Sequence, residues 1–389
     1  MILVLADDFT GAAEIAGIAM RYNLSVEIQH KQIVPTKKEL LVVDTDSRSM
    51  SSAEAGERVS KMIAPLPIGR IDWIYKKTDS VLRGNVLAEL ESILKKMNKN
   101  AALLIPANPS LGRTIIDGIY YVNGIPLHQT EFANDPEHPA KTSDPLLMLG
   151  KSNVFKTHLL KAKKRIPVYG ISIAEVSTIE ELFLRTMQLT DSVIPAGGSD
   201  FFDAIMKVGG YISRVDFAGE IKLEKGNILI VCGSTSEASR SFVTNAEEKG
   251  MYVSEMPEPL FNARQIQSNL IKNWSADIIS IINEQRKVII TINKPLIRDG
   301  HVSKRLREIM AAAVAEVIQH LPVRELMVEG GATAAAIMQR LGWHIFYPLQ
   351  EFSRGIVRMQ VAENPKLNLT IKPGSYAWDE KLISQFQID

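Results

Sequence analysis

Met1-Ile2-Leu3-Val4-Leu5-Ala6-Asp7-Asp8-Phe9-Thr10-Gly11-Ala12-Ala13-Glu14-Ile15-Ala16 opens the chain, and its reading decides the fold. Ile2 to Ala6 form a short apolar run of the kind that becomes a buried strand. Asp7 and Asp8 follow at once, then Thr10 and Gly11. A helical pattern comes next, with Ala12, Ile15, Ala16, Ala19 and Met20 along one side. Strand, polar turn and helix make the repeating unit of an open α/β sheet, and ligands bind such sheets at the carboxyl ends of the strands. Two adjacent carboxylates in that turn raise each other's pKa and are costly without partners. On one reading, one Asp caps the helix and the other faces water. On the other, the pair serves a polyol or a metal-bound phosphate.

The bulk composition narrows the choice. A chain of 389 residues accommodates two domains of roughly 150 to 200 residues each. With 46% apolar residues, a large core is available and disorder is not indicated. Lys plus Arg is 45 against 44 for Asp plus Glu, a net charge of +1, which argues against a nucleic-acid partner. The single cysteine, Cys232, excludes an internal disulfide and fits a reducing cytosol. Its apolar neighbours Ile228 to Val231 predict a buried, inert thiol at a strand end. No basic leader precedes the first apolar run, and no stretch nears the ~18 apolar residues of a membrane span. A cytoplasmic protein without a membrane partner is expected; a homo-oligomer is compatible with the sequence. The histidines lack metal-ligand spacing, which argues against zinc, and no residue is assigned to a metal.

Outward from the first turn, the same alternation recurs. Ser25–Ile28, Leu40–Asp44, Trp73–Lys76, Ala101–Pro106, Val168–Ile173 and Ser192–Ala196 read as strands. Helices are expected over Ser52–Ile63, with Ser52 as its cap, over Asn85–Met97 and over Thr178–Leu189. Tyr120-Tyr121-Val122-Asn123-Gly124-Ile125 signals a hairpin. The polar stretch after it, with Thr130, Asp135-Pro136 and Pro139, resembles a functional loop. Gly209, Gly210, Gly219 and Gly226 mark a seam. Beyond it, a second α/β unit begins with strand Asn227–Cys232, the turn Gly233-Ser234-Thr235-Ser236 and a helix closed by Gly250. Strands Val288–Thr291, Glu325–Glu329 and Leu367–Lys372 and helices Ser303–Leu321 and Ala334–Leu341 complete it. The expected fold is α/β, with two domains at 1–215 and 216–389. Each is a mostly parallel sheet flanked by helices, and the active site is expected in the cleft between them.

The two halves carry different chemistry. After the strands of the first half come Asp7, Asp8, Asp46, Arg48, Lys77, Asp79, Ser80, Arg83, Asn108 and Arg113. In a parallel sheet these converge on one rim. Guanidinium groups take carboxylates in a bidentate way, and carboxylates and amides take hydroxyls. Such a rim suits a small hydroxylated acid. The second half offers small residues instead: Gly233, Ser234, Ser236, Gly330, Gly331, Thr333 and Gly374. Glycine turns at helix N-termini describe a phosphate site. Neither GxxxxGK[ST] nor a GxGxxG after a strand is present, so this is not a Walker loop or a dinucleotide fingerprint.

On these motifs the chain resembles the four-carbon acid sugar kinases. The resemblance rests on Ala6-Asp7-Asp8-Phe9-Thr10-Gly11-Ala12, Asp44-Thr45-Asp46-Ser47-Arg48, Lys76-Lys77-Thr78-Asp79-Ser80-Val81-Leu82-Arg83-Gly84, Pro106-Ala107-Asn108-Pro109 with Gly112-Arg113, Gly233-Ser234, Gly330-Gly331 and Lys372-Pro373-Gly374. These occur in family order over nearly the whole chain. The resemblance implies an ATP-dependent kinase, with Mg²⁺, that phosphorylates the 4-hydroxyl of threonate, erythronate or 3-oxo-tetronate. It places a sugar-acid-binding domain first and a nucleotide-binding domain second. ATP would lie against Ser234, the turn Gly330-Gly331-Ala332-Thr333, and Gly374. Asp8, or else Asp7 or Asp79, would take or orient the hydroxyl proton. Lys77, Arg48 and Arg83 would hold the substrate carboxylate or the migrating phosphoryl group. Asp7, Asp46, Ser80, Asn108 and Arg113 would complete the substrate rim. The sequence departs from the family pattern at Ala332, where an acidic residue is usual, and at Tyr376-Ala377, where the pattern has Phe-Gly. A non-catalytic sugar-acid sensor on the same fold is the rival reading that these departures support, and a nicotinamide-dependent dehydrogenase is a third.

Overall fold

The computed structural model describes residues 1–135, 138–162, 164–213, 223–234, 236–293, 300–374, 376–378 and 380–385. The chain divides into two compact units, Met1–Val215 and Asp216–Asp389. The expected boundary, together with Pro136, Gly219, Thr235 and Ser375, lies outside the described residues.

The first unit runs β1 (Ile2–Ala6), α1 (Phe9–Arg21), β2 (Val26–His30), β3 (Leu40–Asp44), α2 (Ser52–Ile63), β4 (Trp73–Lys77), α3 (Val86–Met97), β5 (Ala101–Ile105), β6 (Arg113–Ile116), β7 (Ile119–Val122), β8 (Ile125–Pro126), α4 (Pro145–Leu149), β9 (Thr157–Leu160), β10 (Gly170–Ala174), α5 (Ile179–Thr186), β11 (Val193–Gly197) and α6 (Ser199–Val208). Its main sheet has the order β2-β3-β1-β4-β11-β5-β10-β9, and every neighbouring pair is parallel. Helices cover both faces of such a sheet, which is why its strands read as continuous apolar runs instead of alternating ones. From β1 the chain moves to β2 and β3 on one side, then crosses to β4 on the other. The strand order therefore reverses at β1, the place where an open sheet leaves a crevice for a ligand. Asp7 and Asp8 stand at that crevice.

Local chemistry fixes the element ends. Asp8 has extended backbone and accepts from Gly11 N at 2.9 Å, so it is the N-cap of α1. α2 is capped by Ser51, not Ser52, because Ser51 and Glu54 satisfy each other's backbone N–H groups in a capping box. Asn85 precedes α3 without capping it. Its amide instead donates to the carbonyls of Ser47 (3.1 Å) and Met50 (2.8 Å), tying down the loop after β3. The predicted hairpin is present as β7–β8, with Asn123 and Gly124 at φ of 51° and 78°, the geometry of a type I′ turn. β6 joins it to make a small antiparallel sheet.

The second unit runs β12 (Asn227–Cys232), α7 (Glu237–Glu248), β13 (Val253–Glu255), α8 (Glu258–Asn262), α9 (Ser268–Gln285), β14 (Lys287–Thr291), α10 (Gly300–His320), β15 (Val323–Glu329), α11 (Gly331–Leu341), β16 (Ile345–Ser353), β17 (Ile356–Val361), β18 (Asn364–Lys372) and α12 (Glu380–Ser384). Its strand order is β13-β14-β12-β15-β18-β17-β16. The pairs from β13 to β18 are parallel, and β17 runs antiparallel to β18 and β16. Here the order reverses between β12 and β15, where Gly233 and Gly330 follow their strands.

The apolar-run pattern does not pick out β9, α9, β16 or β17. In α9 the buried residues Ile271, Trp274, Ser275, Ile278 and Ile282 follow a helical period, but Ile278-Ile279-Ser280-Ile281-Ile282 reads locally as a strand. In β16, Pro348 argues against a strand; it is accommodated where the pairing with β17 shifts register. α11 begins at Gly331, three residues before the expected Ala334, because the glycine turn itself enters the helix.

One buried charge network in the second unit has a measurable stake in the fold. Glu325 accepts from Arg358 Nε at 3.1 Å, from Arg358 Nη2, from Asn368 Nδ2 at 3.2 Å and from Glu224 N at 3.1 Å. Burial pushes the Glu325 carboxyl above its ordinary value even though Arg358 pulls it down. Removing one partner from such a pair leaves a buried charge unmet. Arg358→Leu is expected to lower the unfolding free energy by about 3–5 kcal/mol. Adding Glu325→Leu should recover most of that loss in urea titrations. Equal losses in the single and double variants would show that the pair is not the source.

Candidate functional site

Register brings the functional loops together. Ala6 is aligned with Asp44 on β3 and with Lys77 on β4, so the residues that follow these strands emerge side by side. At their centre is Arg48. Its Nε donates to Asp7 Oδ2 at 2.8 Å and its Nη2 to Asp7 Oδ1 at 3.0 Å, a bidentate pair. Its Nη1 donates to Asp8 Oδ2 at 2.8 Å and lies 3.9 Å from Asp79 Oδ2. One guanidinium thus gathers three carboxylates from two loops. Burial favours a neutral Asp7, but Arg48 and Lys76 outweigh it and hold this carboxyl below its ordinary value. The water-facing half of the simple turn reading is corrected here: Asp8 does cap the helix, but Asp7 is buried, at 2% exposure.

Asp79 is committed to its own loop. It accepts from Val81 N at 3.1 Å and Arg83 N at 3.2 Å, and forms a two-point pair with Arg83 Nε (3.0 Å) and Nη2 (2.8 Å). Burial is opposed by Arg83 and Arg48, which together hold the Asp79 carboxyl well below the usual carboxylate range. Gly84 lets this loop close on the first. Its φ is 91°, and a Cβ there would stand 3.0 Å from Asp7 Oδ2 and 3.2 Å from Arg48 Cγ. No larger residue fits that approach without displacing the Asp7–Arg48 pair.

Lys77 is buried and lies 3.3 Å from Glu14 Oε2, while donating to Thr78 O at 3.0 Å. Glu14 in turn accepts from Ser199 Oγ at 2.8 Å. Arg113 comes from the start of β6 and donates to Ser80 Oγ. Tyr120, on β7, donates to the Ser80 carbonyl. The small antiparallel sheet is thereby pinned over the loop after β4. Asn108 is buried and structural in its contacts: its Oδ1 accepts from Asp200 N at 3.0 Å, and its backbone exchanges hydrogen bonds with Arg113. Asp46 stands apart from the Arg48 cluster. Its carboxylate pairs with Lys31 at 2.6 Å.

The second unit places its small residues in the same way. Cys232 aligns with Glu329, and Glu329 with Lys372, so Gly233, Gly330 and Pro373-Gly374 leave adjacent strand ends. A Cβ at Gly233 would stand 2.3 Å from Thr333 Oγ1, so only glycine allows the two turns to touch. Gly331, Ala332 and Thr333 form the first turn of α11, where backbone N–H groups are free to meet an anion. Ser234 Oγ accepts from Ser236 N at 3.1 Å, and Ser236 caps α7. Lys372 holds the last turn: it donates to Pro373 O (3.0 Å) and Tyr376 O (2.6 Å), lies 3.3 Å from Glu329 Oε2, and sits over the Trp378 ring at 5.4 Å. Burial pulls its ammonium below the ordinary lysine value despite Glu329. Cys232 is buried beside this pair, and burial and Glu329 push its thiol well up, consistent with an inert residue.

Several supporting residues are not among the candidates read from sequence: Glu14, Tyr120, Phe132, Asp135, Glu329 and Lys372 as a clamp. Glu14 had a signal, a lone acid on an otherwise apolar face of α1. Asp135 had a weaker one, its place in the polar stretch read as a functional loop, and Phe132 had none; their shared partner Arg83 is about fifty residues away.

Among the described residues, no helix is long and apolar enough to cross a membrane, and no group of three or more His, Cys, Asp or Glu is placed to hold a metal.

Comparison with known proteins agrees with this division of labour. Residues 2–188 match a family model described as a sugar-binding N-terminal domain, and residues 229–376 match one described as a nucleotide-binding C-terminal domain. The chain is 24% identical to the D-threonate kinase of Salmonella typhimurium over 87% of this chain and 86% of that protein. It is 22% identical to the 3-oxo-tetronate kinase of Haemophilus influenzae over 98% of each. A shorter match, 30% identical over 36% of this chain and 33% of its relative, is to the D-erythronate kinase of Heliobacterium modesticaldum. Among solved structures, a Salmonella typhimurium protein superposes with a TM-score of 0.80 at 16% identity, covering 99% of this chain and 98% of that one. A Haemophilus influenzae protein does so with a TM-score of 0.72 at 20% identity and the same coverage. With both units matched in order, the chain belongs to the four-carbon acid sugar kinase family and is a kinase that uses ATP.

Proposed function

We propose that the chain transfers the γ-phosphoryl group of Mg-ATP to the 4-hydroxyl of a four-carbon sugar acid of the threonate, erythronate or 3-oxo-tetronate class. The observation that carries this reading is the rim at β1 and β4, which gathers carboxylates and guanidinium groups in one place, the two kinds of group that a hydroxylated acid calls for. The kinase names of the relatives support it.

Asp8 is the residue we assign to the reacting hydroxyl. Its side chain is 16% exposed, against 3% for Asp7 and 8% for Asp79. Asp7 and Asp79 each spend both oxygens on one arginine, and both are held low, which makes them weak bases. Asp8 is oriented by Thr10 Oγ1 at 2.5 Å, by Gly11 N and by Arg48, and it keeps its open side toward the crevice. Phosphoryl transfer asks mainly for in-line positioning and charge neutralisation, so an oriented carboxylate that accepts the hydroxyl proton late is sufficient. Lys77, buried beside Gly11, supplies positive charge at the same turn. The N–H groups at the start of α11, with Ser234 and Gly374, would carry the nucleotide phosphates. Mg²⁺, when bound, neutralises phosphate charge, and it commonly keeps several waters and binds through the phosphates themselves. The neutral Ala332 is compatible with that mode.

An ADP-release assay over the stereoisomers of threonate and erythronate and 3-oxo-tetronate should find one acid that raises turnover well above the ATP-only blank. No response to any of them would defeat the substrate assignment. Asp8→Asn is expected to cut turnover roughly 10²–10⁴-fold with ATP binding intact, the usual range for a general base. Full turnover in that variant would move the role to Asp79. The Asp79 pair also predicts a pH effect on stability. Its folded pKa lies below the ordinary 3.8, so its contribution is complete above 3.8 and drains as pH falls through the lower folded value. In Asp79→Asn the urea midpoint should fall less steeply below that pH; an unchanged acid limb would remove the pair from the account.

A further inference from the structure

The rim cations differ in one respect that the substrate assignment above does not use. Arg48 is satisfied by Asp7 and Asp8. Arg83 is satisfied by Asp79 and, through Nη1, by Asp135 Oδ2 at 2.9 Å. Lys77 has Glu14. Arg113, among the described residues, forms no ion pair. Among these residues its side chain forms one hydrogen bond, from Nη1 to Ser80 Oγ, and its Cζ lies 5.7 Å from the centre of the Phe132 ring. The same ring lies 5.7 Å from Arg83 Cζ. Phe132 is therefore a shared platform for two guanidiniums, one spoken for and one not.

We propose that Arg113 is the residue that takes the carboxylate of the sugar acid, and that Phe132 positions it. An incoming carboxylate that chose Arg48 or Arg83 would strand a buried aspartate without its partner, the more costly exchange. At Arg113 it meets a cation that no carboxylate among the described residues contacts directly, although Arg113 helps to hold Asp79 low from a distance. Contact with an aromatic face leaves the edge of a guanidinium available for two parallel N–H···O bonds. Ser80 Oγ holds one corner of that guanidinium and the Tyr120 hydroxyl holds the Ser80 carbonyl, so the fork is set before the ligand arrives. The other end of the acid then falls to Asp8. Arg48 touches Asp8 and reaches toward Asp79, whose chain neighbour Ser80 carries Arg113, so the two ends of the ligand are read by groups one loop apart. This assignment rests on the sugar-acid reading of the site.

Calorimetric titration of the full chain separates the two claims. The probes are D-threonate, D-erythronate, their enantiomers, 3-oxo-tetronate, and the uncharged threitol and erythritol. Wild-type protein should bind its preferred acid at least tenfold more tightly than either tetritol. Arg113→Gln should erase that preference, weakening the acid roughly 10–100-fold while tetritol binding and the KM for ATP stay put. Arg113→Lys should restore part of it. Phe132→Leu should raise the KM for the acid several-fold with kcat retained, the signature of a positioning residue. Urea midpoints within error of wild type exclude misfolding. Arg113→Gln protein that still prefers the acid overturns the assignment alone, and an unmoved KM in Phe132→Leu overturns the platform role. Wild-type protein that binds acids but releases no ADP overturns the kinase reading and leaves the anchor standing. Wild-type protein that binds none of the acids overturns both.

Discussion

The pairing of Arg48 with Asp7 is the constraint on which the first unit's site depends. Asp7 directly follows β1, the strand at which the order of the sheet reverses, and is buried. A carboxylate there survives as an anion only if a cation is brought to it. Arg48 is that cation, and reaching Asp7 fixes the path of the loop after β3. The loop after β4 must then close over the pair, which Gly84 permits and Asn85 reinforces from the start of α3. The loops after β1 and β3 are tied to each other by charge, and the loop after β4 is held by its own Asp79–Arg83 pair. The crevice is preorganised by ion pairs instead of by apolar packing, and those pairs leave Asp8 as the carboxylate with an open side.

Behind this rim lies a second layer of buried charge. Lys76 meets Glu89 at 2.5 Å, Ser47 donates to Glu89 at 2.8 Å, and His30 Nδ1 meets Asp44 at 2.6 Å. Burial pushes both Glu89 and Asp44 above their ordinary values against these partners. Such pairs are poor sources of stability but strong sources of geometry, because alternative packings leave a charge unmet. The second unit works differently. Its candidate site is built from backbone and small side chains, and its one nearby ion pair, Lys372 with Glu329, serves to hold carbonyls of the final turn.

Much of this was legible in the sequence, for a physical reason. A parallel sheet covered on both faces writes its strands as apolar runs, and the runs at Ile2–Ala6, Leu40–Asp44, Ala101–Ile105 and Asn227–Cys232 are where the strands are. The polar residues after each run converge because parallel strands end at one rim. What could not be read is who pairs with whom. Asp46 and Arg48 look equivalent beside β3, yet Asp46 adopts a left-handed φ of 48° and turns to Lys31, while Arg48 turns inward. Phe132 lies in a short 3₁₀ turn with no periodic signature and Asp135 closes it, and their importance comes from Arg83, far away in the chain. Ser268–Gln285 misleads because its isoleucine cluster favours a strand locally, and packing against β14 and α10 overrides it.

The small antiparallel sheet β6-β7-β8 is an insertion between two strands of the main sheet, and it carries Arg113 and Tyr120, with Phe132 following directly. Asp8, the residue proposed for the reacting hydroxyl, follows a strand of the main sheet and is held by the ion pairs there. The two ends therefore rest on separable pieces of architecture. On the proposed assignment, substitutions in the insertion retune which acid is admitted without disturbing the ion pairs around Asp8. A scaffold so divided has an easy route to new substrates: it can vary its recognition module while its chemistry stays fixed.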